Sequence, residues 1–80
     1  MASVSLNTLL PGDEAVVERV DAAALAVQQR LLEMGLTKGT SIQMIRFAPM
    51  GDPVEISVRG YRLSLRRVEA DSIIVSKKNS

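Results

Sequence analysis

Arg59, Arg62, Arg66 and Arg67 crowd into one short stretch of a chain whose formal net charge is only +1. Grouped guanidinium groups recognise carboxylates and phosphates, because their planar fork donates paired hydrogen bonds. The sharp reading of this cluster is an acidic protein partner. The plain reading is a solvated strand face, since Arg62 and Arg66 fall opposite the apolar side chains around them and Glu69 and Asp71 lie close by in sequence. Nucleic acid is the weaker choice of partner: the net charge is small, and Phe47 and Tyr61 are the sole aromatics, too few for a base-stacking platform.

Catalysis has little to work with. The chain has no histidine and no cysteine, which removes the usual general base, the usual nucleophile pairings and the preferred ligands of zinc and copper. No catalytic motif of specific spacing remains, and no enzyme is expected. Met1, Met34, Met44 and Met50 are scattered, and three of them fall on elements where core or loop packing explains them. Asp13, Glu14, Asp52 and Glu55 suit at most weak, adventitious binding of a divalent ion, so no cofactor is expected. Three apolar residues join the arginines as candidate partner contacts. Met50 sits at a loop tip, and Leu32 and Leu36 lie at the far side and end of a helix too small to bury every leucine.

The elements that must position these residues emerge from periodicity. Ser5 is placed to cap a short helical turn before Pro11-Gly12-Asp13 forces a turn, and Ala15 to Val20 reads as a valine-rich strand. From Ala22 to Met34 the residues are strong helix formers. Ala24, Val27, Leu31 and Met34 mark one helical face, Leu25 and Leu32 widen it, Asp21 is the expected cap and Gly35 the expected stop. The period then changes to two. Strands are expected over Ser41 to Phe47, Val54 to Val58, Tyr61 to Arg66 and Ser72 to Ser76, with Ala48 to Pro53 a loop and Arg67 to Asp71 a turn or single helical turn. In the third of these strands Tyr61, Leu63 and Leu65 are expected to face inward and Arg62 and Arg66 outward. Residues 77–80 read as a frayed polar tail.

One domain spanning residues 1–80 is expected, mostly β with one main helix: a small closed or nearly closed antiparallel barrel. An OB-like barrel and an open sheet covered by the helix share the same pattern. With no cysteine to staple it, such a domain rests on its core, and the 46% hydrophobic content suffices. No apolar run approaches the roughly 20 residues that span a bilayer, and Met1 to Leu10 carry no basic leader. We expect a cytoplasmic protein without direct membrane insertion.

The run Arg30-Leu31-Leu32-Glu33-Met34-Gly35-Leu36 followed by Gly39, then Ala48-Pro49 and Gly51-Asp52-Pro53, then Arg59 to Arg67 with Glu69-Ala70 and Ile73, resembles the ferrous iron transport protein A (FeoA) family over nearly the whole chain. Lys38 departs from the pattern, where the family often has proline. The resemblance implies an SH3-like barrel acting as a small accessory protein of bacterial ferrous iron uptake. It implies a partner, a FeoB-type membrane GTPase transporter, rather than a reaction. Similar domains at the C-terminus of metal-dependent repressors give the alternative, a regulatory module or a small nucleic-acid-binding barrel.

Overall fold

Sheet dominates because the apolar residues after Gly35 alternate, and because two bulges, one before Gly35 and one after it, keep apolar positions in phase with the core. The computed structural model describes residues 3–78. Its elements are β1 (Ser3–Ser5), a 3-10 turn (Leu6–Thr8), β2 (Glu14–Val20), α1 (Leu25–Glu33), β3 (Ser41–Phe47), β4 (Val54–Val58), β5 (Tyr61–Leu65), α2 (Arg67–Asp71) and β6 (Ile73–Lys77). The strands form one antiparallel sheet in the order β1-β6-β2-β3-β4-β5. In β2 the register shifts between Val17 and Arg19, so that Val20, rather than Arg19, joins Ala15 and Val17 in the core. In β3 the shift between Met44 and Arg46 sets Arg46 opposite Glu55 and Phe47 opposite buried Val54.

The expected barrel closure is absent: β1 and β5 are both edges of an open sheet. The cause is the pair of turns that continue the two edge strands. β1 runs into the 3-10 turn and β5 into α2, and these two turns pack on each other, with the Asn7 side-chain amide donating to the Arg67 carbonyl at 2.9 Å and the Ser5 hydroxyl to the Asp71 carbonyl at 3.2 Å. Side-chain contact thus stands where a closing ladder would run. Ser5 caps the 3-10 turn as expected, accepting from the Asn7 N–H at 3.2 Å.

Three expectations about α1 and its surroundings need correction. Asp21 does not cap the helix. Its carboxylate accepts from Arg19 Nε at 2.9 Å and its N–H donates to the Ser72 carbonyl at 2.7 Å, which holds it to the sheet while the helix starts only at Leu25. Leu36 offers no surface; it is fully buried. At the helix end Gly35 takes φ +96°, its N–H donates to the Leu32 carbonyl, and the Leu36 N–H reaches back to the Leu31 carbonyl at 3.2 Å. This is a Schellman closure, which folds Leu36 into the same core as Leu31. Tyr61 keeps the inward parity of β5 but is 46% exposed, because the strand end overshoots the core and the ring lies across the helix end. The tail also begins later than expected: Lys77 pairs with Ala15, and the Lys78 N–H donates to the Glu14 carbonyl at 2.8 Å. Residues 79 and 80 of the expected tail lie outside the described residues.

Candidate functional site

The basic stretch is built on a hairpin. Arg59 (φ 49°) and Gly60 (φ 86°) both occupy the left-handed region between Val58 and Tyr61, the arrangement of a two-residue type I′ turn whose twist matches the flanking strands. Arginine is an unusual choice at such a position; its guanidinium reaches Thr40 Oγ1 at 3.3 Å. Beyond the turn, Leu63 and Leu65 are buried while Arg62, Ser64 and Arg66 are exposed. Arg66 opens α2, where its N–H donates to the Glu69 carboxylate at 3.0 Å. Arg67 folds back instead. Its N–H donates to the Asp52 carboxylate at 3.1 Å, its guanidinium lies 5.1 Å from the centre of the Phe47 ring and contacts the Gly51 carbonyl at 3.4 Å. It fastens the loop between β3 and β4 to the start of α2. Met50, at the tip of that loop, is 93% exposed.

Charge pairing around this surface is lopsided. Among the described residues Arg19, Arg30, Arg46, Lys77 and Lys78 each have an acidic partner within 4 Å, whereas Arg59, Arg62, Arg66 and Arg67, and Lys38 in the turn before β3, have none. The nearby acids are taken. Glu55, across from Ser64, accepts from Arg46 Nε at 2.6 Å; buried Glu69 pairs with Arg30 and caps α2; Asp52 holds the Arg67 backbone. The acids expected to screen Arg66 are therefore engaged elsewhere: Glu69 as described, and Asp71 with the Ser5 hydroxyl at 3.3 Å. The result is a strip of arginines without a direct ion-pair partner, running from the β4–β5 turn along β5 to α2.

The remaining candidates fall apart spatially or chemically. Leu32 is 41% exposed on α1, while Leu36 belongs to the core. Asp13 is structural: its carboxylate accepts from the Leu10 N–H at 2.8 Å and lies 3.3 Å from Lys77 Nζ. The Leu10 hydrogen bond, with help from Lys77 and against partial desolvation, holds the carboxyl below its ordinary range. Among the described residues no three carboxylates gather where they could hold a metal ion. No described helix is long and apolar enough to cross a membrane.

Sequence reasoning missed the exposed apolar residues Leu25, Val68 and Leu10, the first of which it assigned to the helical core face. Val68 borders a cleft of about 230 Å³ between the Asp21–Ala24 segment and α2, which also meets Val27 and Glu69. No signal in the sequence marks it, because it arises from the late start of α1.

The model of the FeoA domain matches residues 4–77. The Fe(2+) transport protein A/Fe(2+) transporter FeoB fusion protein of Porphyromonas gingivalis is 40% identical over 70 residues, which cover 88% of this chain and 8% of the fusion protein. The chain thus spans only a small part of that relative. Among solved structures, zinc-complexed FeoA of Stenotrophomonas maltophilia, described as a prokaryotic SH3 domain protein, is 32% identical with a TM-score of 0.82, covering 95% of this chain and 96% of that one. A manganese-dependent transcriptional repressor shares the fold alone, with a TM-score of 0.89 at 15% identity over 98% of this chain and 38% of that one. With the family model spanning nearly the whole chain and the SH3-like fold shared with a FeoA structure, this protein belongs to the FeoA family.

Proposed function

We propose that this protein is an accessory factor of ferrous iron uptake that binds the cytoplasmic side of a FeoB-type membrane transporter through its basic strip, catalysing no reaction itself. The observation that carries this reading is the relative in which an Fe(2+) transport protein A is joined to FeoB in one polypeptide. Covalent joining keeps two modules at high effective concentration, which serves a pair that must meet. The strip of Arg59, Arg62 and Arg66 supports the mode of contact: arginine is among the residues that most often carry interface energy, and these three lack acidic partners among the described residues.

The test is co-expression with a FeoB-type transporter in cells lacking their own ferrous uptake. Exposed arginines contribute little to folding, typically within about 0.5 kcal/mol. The Arg62→Glu/Arg66→Glu double variant should therefore melt like the wild type, yet co-purify with the transporter at least about tenfold less and lower ferrous uptake. Normal co-purification and uptake with a normal melting curve would refute the basic strip as the contact and direct the search to Leu32 and Met50.

A further inference from the structure

The main chain of β5 has a side that the sheet leaves unused. In a two-residue hairpin the residues flanking the turn exchange both hydrogen bonds, and pairs alternate from there. Val58 with Tyr61, Ile56 with Leu63 and Val54 with Leu65 are then the bonded pairs, while Arg62 and Ser64, opposite Ser57 and Glu55, turn their N–H and C=O groups away from β4. β5 is the last strand of the sheet, and none of these groups bonds elsewhere among the described residues. The next residue of that parity, Arg66, has its N–H satisfied by Glu69 at 3.0 Å, which ends the row. The edge therefore offers two N–H donors and two carbonyls at strand spacing, flanked by the side chains of Arg62 and Arg66.

We infer that the outer edge of β5 is a strand-addition site that takes an acidic extended segment of a partner protein. This deepens the proposed function and rests on it: the surface is the same, and the backbone mode and the chemistry of the segment are added. Charge selects the occupant. An open edge is a template for any strand, and arginines on it disfavour pairing with a second copy, which would bring its own β5 arginines against these. A segment with acidic residues at alternate positions places carboxylates beside Arg62 and Arg66, whose guanidinium groups have no acidic partner within 4 Å among the described residues. Main-chain bonds supply affinity in this mode and the alternate side chains supply specificity.

The experiment measures amide hydrogen exchange of the full chain by NMR with an eight-residue peptide alternating glutamate and valine, and with its lysine counterpart. At a concentration ten times its dissociation constant, the acidic peptide should slow exchange at Arg62 and Ser64 by about tenfold, and the lysine peptide should not. Ser64→Pro keeps every charge but removes an outward N–H, which an edge strand tolerates; its melting temperature should stay within a few degrees while peptide affinity falls at least about tenfold. Unslowed Arg62 and Ser64 amides, equal slowing by the lysine peptide, or equal affinity for a folded Ser64→Pro variant would overturn strand addition. So would slowing that rises with protein concentration alone, which assigns the edge to a second copy. If Ser64→Pro does not fold, the wild-type exchange pattern decides. Loss of transporter binding in Arg62→Glu/Arg66→Glu together with unprotected β5 amides would leave the proposed function standing and remove only this inference.

Discussion

Replacing Gly35 by valine tests how α1 is joined to β5. Two costs converge there. The backbone sits at φ +96°, where an L side chain pays about 1–2 kcal/mol and a β-branched one stands at the upper end. A Cβ at this position would also meet the Tyr61 hydroxyl at 3.1 Å, and that hydroxyl donates to the Met34 carbonyl at 2.5 Å. Displacing it forfeits a hydrogen bond with a net value of about 1 kcal/mol. The sum is roughly 2–3 kcal/mol, out of about 4–12 kcal/mol for a domain of this length. At about 4–8 °C per kcal/mol, the melting temperature should fall by roughly 10–25 °C. Thermal melts monitored by circular dichroism, in a cycle with Tyr61→Phe, separate the two costs. Tyr61→Phe should cost about 1 kcal/mol in the wild type and close to nothing beside Gly35→Val, a coupling of about 1 kcal/mol. Gly35→Asn, which tolerates the left-handed region, should recover part of the loss. A Gly35→Val melt within about 4 °C of wild type, or a cycle that is strictly additive, would refute this account of the helix end.

Leu36→Ala should destabilise by about 2–5 kcal/mol as a core truncation, whereas Leu32→Ala, on an exposed helix face, should stay within about 1 kcal/mol; urea unfolding compares them directly. Asp13 sets an acid response. Its folded-state carboxyl lies below its ordinary range, so its contribution is present above the unfolded-state value and is lost as pH falls through the lower folded-state one. Asp13→Asn should flatten that part of the stability-against-pH curve, and an NMR titration placing the Asp13 carboxyl at or above its ordinary value would contradict it.

Much of the fold was legible because it depends on local rules. The Ser5 cap, the Gly35 stop and the strands at Ser41–Phe47 and Val54–Val58 are each dictated by neighbours in sequence. The features that escaped depend on distant partners. Ala22 to Ala24 have helical propensity, but Asp21 is tied to Arg19 and to Ser72 just ahead of β6, and the helix yields. Ser3–Ser5 is too short to show alternation and becomes a strand only because residues 74–76 lie beside it. At the candidate site the arginines were visible, and so was their outward parity. Their lack of ion-pair partners was not, since it required Glu55, Glu69, Asp52 and Asp71 to be oriented toward Arg46, Arg30, the Arg67 backbone and Ser5.

Ser3 pairs with Ser76 at one margin of the sheet, and β5 lies at the other, with four strands between them. At about 4.8 Å per strand, the two margins are separated by up to about 24 Å measured along the sheet. A linker attached beside either β1 or β6 therefore joins the sheet at the margin most distant from β5 along the ladder, even though the turns that follow β1 and β5 meet. A polypeptide joined there, upstream or downstream, does not use the ladder groups of β5. That geometry lets one contact surface serve both a diffusing partner and a tethered one, with linker length rather than new contacts setting how often the two halves meet.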